Sequence, residues 1–82
     1  MTMLIFKGEL FGHDLLRWIQ YNRYTLRDAQ TITGIHISVL SRLTHGHTPD
    51  LLNFAVLCRA MNAPMGDYFE CQPQVDKGVN DE

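Results

Sequence analysis

Apolar positions recur at helical spacing along most of this chain. From Gly8 to Asn22 the residues Leu10, Phe11, Leu15, Leu16, Trp18 and Ile19 fall at three- and four-residue steps, the period of a helix that buries one face. Thr25 predicts an N-cap, because its hydroxyl can accept a bond from a free amide of the first turn, and Asp28 places negative charge at the positive helix end. Leu26 to Thr33 is then a helix of two turns, stopped by Gly34, a residue that adopts the left-handed conformation without a Cβ penalty. A third helix restarts at His36 or Ile37 and meets no breaker before Gly46 and Pro49. Asp50 predicts the next cap, with Asn53 three residues on, and Leu51, Phe54, Leu57, Cys58 and Met61 mark the buried stripe of a fourth helix that Asn62 ends. Pro64 opens a last short helix through Tyr68 and Phe69. Trp18, Tyr21 and Tyr24 read as core or its rim.

The two ends of the chain are less patterned. Met3-Leu4-Ile5-Phe6 fits a short strand, a hydrophobic arm or the lead-in to the first helix, and so short a run does not separate these. After Phe69 the apolar period stops, which predicts a flexible acidic tail. The expected organisation is an arm over residues 1–7, a helical domain over 8–69 and a tail over 70–82. The fold class expected is all-α, a compact bundle of five short helices.

The second and third helices carry the functional signal. Two short helices joined by about three residues that include a Gly are the signature of a helix-turn-helix. On a wheel of about 100° per residue the third helix, at about 36–44, groups Leu40 and Leu43, with Val39 at their edge. Ser38, Ser41, Arg42 and His45 fall on the other side, with Ile37 at its margin. Short hydroxyls, an aliphatic group and a guanidinium suit close approach to base edges: Arg pairs with guanine N7 and O6, Ser bonds several edges, and Ile can touch a thymine methyl.

Charge first speaks against that reading and then for it. The 82 residues carry 7 Lys+Arg against 9 Asp+Glu, a net charge of −2, whereas nucleic acids are bound mainly through phosphate neutralisation. Residues 17–48, however, hold Arg17, Arg23, Arg27 and Arg42 against Asp28 alone, and His36, His45 and His47 lie there too. The acids cluster instead after residue 49, where Asp50, Asp67, Glu70, Asp76, Asp81 and Glu82 face only Arg59 and Lys77. The molecule is polarised, and distribution matters more than the sum for a binding surface.

From about Phe11 to Phe69 the chain resembles the Cro and lambda-repressor-like (XRE-type) helix-turn-helix transcriptional regulators. The likeness rests on Thr25-Leu26-Arg27-Asp28-Ala29, on Thr33-Gly34-Ile35 at the turn and on Val39-Leu40-Ser41-Arg42-Leu43. It continues through His45-Gly46-His47-Thr48-Pro49-Asp50, Leu57-Cys58-Arg59-Ala60-Met61 and Gly66-Asp67-Tyr68-Phe69. The chain departs from the family pattern at Gln30, where Ala is common, at Thr44-His45 before the loop Gly, and at Arg23, where a Gly often ends the first helix. Gln30 is then either turned outward or accommodated by a different packing of the two helices. The resemblance implies base contacts from Ile37, Ser38, Ser41 and Arg42. It implies phosphate contacts from Arg27, His45, His47, Thr48 and Asn53, with helix-terminal and loop amides helping to hold the anion. It also implies a dimer on a palindromic operator, since one such helix makes few base contacts, and a small phage- or prophage-type or bacterial repressor.

Other chemistries have less to stand on. No phosphate-cradling Gly loop, His-Glu-x-x-His motif or nucleophile with a base is present, so neither catalysis nor a cofactor is expected. His45-x-His47 lacks two further ligands for a zinc site, and Cys58 and Cys71 form no metal or disulfide framework. Cys58, inside an apolar helical pattern, reads as a buried free thiol. No apolar run reaches the about 20 residues of a membrane span, and the first residues do not read as a signal peptide, so a cytoplasmic location is expected. The competing reading is an antitoxin or adaptor whose partner is a protein, bound through the acidic C-terminal face or the N-terminal arm.

Overall fold

Side chains just ahead of the helices set where three of them begin. Thr25 Oγ1 accepts the amide of Asp28 at 3.0 Å and Asp28 Oδ2 accepts the amide of Thr25 at 2.8 Å, a reciprocal box that starts α2 (Leu26–Thr33). His36 caps α3 (Ile37–Thr44). Asp50 Oδ1 accepts the Asn53 amide at 2.8 Å ahead of α4 (Leu51–Met61). The first helix, α1 (Gly8–Tyr21), has no side-chain cap. Left-handed residues close two of the helices: Gly34 at φ 77° after α2 and Asn62 at φ 56° after α4. Arg23, φ 59°, turns the chain after α1. It therefore occupies the backbone conformation that a Gly adopts without cost.

The computed structural model describes residues 2–73, which are mostly helical with a small antiparallel sheet. Phe11, Leu15 and Ile19 of α1 form the centre of the core, met by Leu40 and Leu43 of α3 and by Phe54, Leu57 and Cys58 of α4. Ala29 and Ile35 fill the space beneath α2 and its turn, and Tyr68 closes the bottom. Burial raises the pKa of the Cys58 thiol. Four apolar positions read as core-facing or rim are exposed instead. Leu10, Leu16 and Leu51 point out of the bundle, and Tyr21 keeps 89% of its surface accessible. The real apolar stripe of α1 is narrow, one residue per turn, and its helical neighbours lie past its edge.

The expected five-helix, all-α bundle needs two corrections. The fifth helix is a single 3₁₀ turn, Met65–Tyr68, because Asn62 and Pro64 break the chain just before it and a strand begins at Phe69. That strand, β2 (Phe69–Pro73), pairs antiparallel with β1 (Thr2–Phe6), so residues 70–73 belong to a sheet where a tail was expected. The remainder of that predicted tail lies outside the described residues. Of the alternatives for the N-terminal segment the strand is realised. Phe6 stands opposite Phe69 and packs edge-on against it and against Phe54, with ring centroids 5.5 and 5.3 Å apart, geometry that aromatic pairs favour. An aromatic cluster thus secures a ribbon on which Met3, Leu4, Glu70, Cys71 and Gln72 are exposed.

Tyr68 is 3% exposed and its hydroxyl donates to Asp14 Oδ2 at 2.9 Å. Burial first, and then this bond to a carboxylate, hold its pKa well above the usual tyrosine range. The bond ties α1 to the end of the helical region.

One further contact fixes α3. A Cβ added at Gly12 would lie 2.4 Å from the Leu43 carbonyl oxygen, and one at Gly8 would lie 2.5 Å from that of Gly46. The C-terminal backbone of α3 and the following loop therefore rest directly on the first turns of α1, which only hydrogen-sized side chains at these two positions allow.

Candidate nucleic-acid interface

The α2–turn–α3 segment presents a polar face supported from below. Leu40 and Leu43 are buried, which turns Ser38, Arg42 and His45 outward, exposed, and leaves Ile37 and Ser41 half-buried. Arg42 makes no hydrogen bond through its guanidinium among the described residues, so its five donors are available to a ligand. It is neither a helix cap nor the partner of a carboxylate there. Arg42 lies at one wall of a cleft of about 350 Å³ between α3, the loop and the start of α4, with His47, Thr48 and Asn53 along it. Four of the nine predicted contact residues thus line one groove. Asp50 shares it, and its carboxylate lowers the positive potential there. Arg27 is exposed in the first turn of α2, outside that groove.

Two predicted contacts are modified by where their hydrogen bonds already go. The backbone amide of Asn53 is taken by Asp50, so only its side-chain carboxamide could meet a phosphate. His45 Nδ1 lies 2.7 Å from the Ser41 carbonyl oxygen. A carbonyl only accepts, so Nδ1 carries the proton and Nε2 of the neutral ring has a lone pair. A phosphate oxygen also only accepts, and it bonds there only to the doubly protonated ring.

Two residues outside the predicted set organise the start of α3. Gln30, half-buried, reaches from α2 across the turn and accepts the Ile37 amide on Oε1 at 2.7 Å. It is not turned outward; it bridges the two helices. Its carboxamide orientation follows from that bond, because only the oxygen can face an N–H, and the NH₂ group remains unspent among the described residues. His36, exposed, accepts the Ser38 amide on Nδ1 at 3.0 Å. Its spare nitrogen, Nε2, then carries the ring proton, so the neutral ring offers at the N-terminal end of α3 the outward donor that neutral His45 lacks. A polar residue at position 30, where the regulators that the sequence resembles commonly have Ala, was the only sequence signal for the bridge. For the histidine, its place one residue before the helix was the signal.

Compared with protein-family models and with curated proteins, the chain matches none. Among the described residues no group of three or more His, Cys, Asp or Glu side chains could hold a metal ion, and no helix is long and apolar enough to cross a membrane.

Proposed function

We propose that this chain is a sequence-specific double-stranded-DNA-binding regulator of transcription of the Cro and lambda-repressor-like type, with α2 and α3 as its helix-turn-helix and α3 as the reading element. The observation that carries the reading is the outer face of α3: an Arg42 unpaired among the described residues, with Ser38 and Ser41, on a helix whose opposite face is buried and whose two ends are fixed by Gln30 and by the glycines of α1. Such a helix can enter a major groove without losing any packing of its own domain. Arg42 would supply the bidentate contact to guanine, and Ile37 the contact to a thymine methyl. Arg27, His47, Thr48 and the Asn53 carboxamide would set the register on phosphate.

Few cations face the duplex, so sequence-independent affinity is low and specificity rests on two copies reading half-sites one turn apart, about 34 Å. A selection from random duplex DNA tests this. The expected product is a palindrome whose binding weakens steeply with salt. Arg42→Ala lowers affinity about tenfold or more while the helical circular dichroism stays unchanged. No bound DNA at low salt refutes the reading.

A partner protein is the second reading, in the manner of an antitoxin or adaptor. It is favoured by the exposure of Leu51 and Leu52, 74% and 76%, at the start of α4. Capture of a protein by a chain that selects no DNA would make it the lead.

A further inference from the structure

The hydroxyl of Ser38 is free to the solvent but not free in its polarity. His36 Nδ1 accepts the Ser38 backbone N–H at 3.0 Å, which requires a lone pair on that nitrogen and places the proton of the neutral ring on Nε2. The same Nδ1 lies 2.8 Å from Ser38 Oγ. With no proton on the nitrogen, the only proton that can sit between the two atoms is the one on the hydroxyl. Ser38 Oγ–H therefore points inward and shares the single Nδ1 lone pair with the Ser38 amide in a three-centre arrangement, and a hydroxyl has one donor and two lone pairs. What it shows to the outside is an acceptor.

We propose that His36 is a specificity-determining residue: it fixes Ser38 as an acceptor, so that α3 selects at one position of each half-site a base that presents an amine in the major groove, adenine or cytosine, on the strand Ser38 faces. The inference rests on the reading of α3 as the DNA-reading helix. In the major groove the donors are adenine N6 and cytosine N4, whereas guanine N7 and O6, adenine N7 and thymine O4 accept. A serine with a freely rotating hydroxyl meets either kind, which is why Ser contacts usually discriminate poorly. Here a thymine or guanine on the facing strand sets lone pair against lone pair, unless the hydroxyl gives up its bond to His36. The selected orientations are A·T over T·A and C·G over G·C. His36 need not touch the base to impose the choice; it acts through Ser38, as Gln30 acts through Ile37.

The test is the base preference of variants in the same random-duplex selection, together with the tautomer of His36 in the free protein. Wild type is expected to prefer adenine or cytosine at one position per half-site by about five- to tenfold, the worth of one hydrogen bond. Ser38→Ala abolishes the preference at that position. His36→Gly, a substitution that N-caps tolerate, relaxes it while the rest of the site is kept. His36→Asn restores it, because its Oδ1 can accept both the Ser38 amide and the hydroxyl. A purely structural cap would instead shift affinity for all sequences together. Long-range proton–nitrogen correlation of the free chain at neutral pH is expected to show the Nε2–H tautomer of His36. The Nδ1–H tautomer overturns the proposal, as does a Ser38-dependent position that prefers guanine or thymine or that ignores His36→Gly. A wild-type chain that selects no duplex at all overturns the DNA reading and this inference together. A palindrome that depends on Arg42 but not on His36 overturns this inference alone.

Discussion

Gly12 is the position at which a single methyl group should tell most about how α3 is held. Its Cβ would sit 2.4 Å from the Leu43 oxygen and 3.2 Å from both the carbonyl carbon and the oxygen of Thr44. Ordinary carbon–oxygen contacts begin near 3.3 Å, so Gly12→Ala must push the end of α3 away by about 1 Å. The three nearest atoms are all backbone, which cannot swing aside as a side chain could. Overpacking of a core costs about 1–3 kcal/mol and sometimes more, and a backbone collision belongs at the upper end. Alanine recovers about 1 kcal/mol in helix propensity over glycine. The net loss is about 2 kcal/mol, which for a domain of this size lowers Tm by roughly 10 °C. Thermal and urea unfolding followed by circular dichroism measure it, with the urea midpoint falling at constant slope. Gly66→Ala is the internal control: its Cβ meets nothing within 4 Å and its φ is not positive, so stability should stay level or rise by up to about 1 kcal/mol through the unfolded chain. A Gly12→Ala protein as stable as wild type refutes the claim that α3 rests on the backbone of α1.

Gln30→Ala removes the acceptor of the half-buried Ile37 amide and should cost about 1–2 kcal/mol; unchanged exchange of the Ile37 amide proton would show that the bridge is not formed. Tyr68 stays protonated in the fold above the pH at which a free tyrosine ionises, near 10. The unfolded state then loses its proton first, so the contribution of Tyr68 to stability is complete below about pH 10 and declines as pH rises beyond it. Tyr68→Phe should flatten that alkaline decline, leaving the share due to Cys58, and should lower stability near neutrality through loss of the bond to Asp14; an identical alkaline slope in both proteins contradicts the assignment. Arg23→Gly relieves a left-handed non-glycine residue and should stabilise the fold by about 1 kcal/mol, seen as a rise in Tm; a fall would place Arg23 in a contact that the left-handed turn does not account for.

The helix boundaries were legible because their causes are local. Thr25 with Asp28, Gly34 and Asp50 act within four residues of where they stand, and the buried pair Leu40 and Leu43 follows from the period alone. What stayed hidden depends on distant partners. FECQP has no strand period, and only Phe6, placed opposite Phe69 by the fold, makes it one. The roles of Gly8 and Gly12 require the end of α3 to arrive over them. At the candidate interface, residue types on the outer face of α3 could be read directly, but their hydrogen-bonding states could not. Gln30, His36 and the ring of His45 redistribute donors and acceptors only once the turn has brought them together.

The ribbon has a consequence for the order in which the molecule assembles. Its pairs join residues 63 to 71 positions apart, from Phe6–Phe69 to Thr2–Pro73, whereas neighbouring helices are joined by a few residues. Closing a loop of some 70 residues costs about 1.7 kcal/mol more than closing one of about 10, and the ribbon repays this chiefly through Phe6. It is therefore the last unit to form and the first to open. Its opening carries Phe6 out of the aromatic cluster and uncovers Phe54, while α2 and α3 stay clasped by Gln30. Among the described residues limited proteolysis should accordingly begin within β1 and β2, well before the turn at Gly34 is cut.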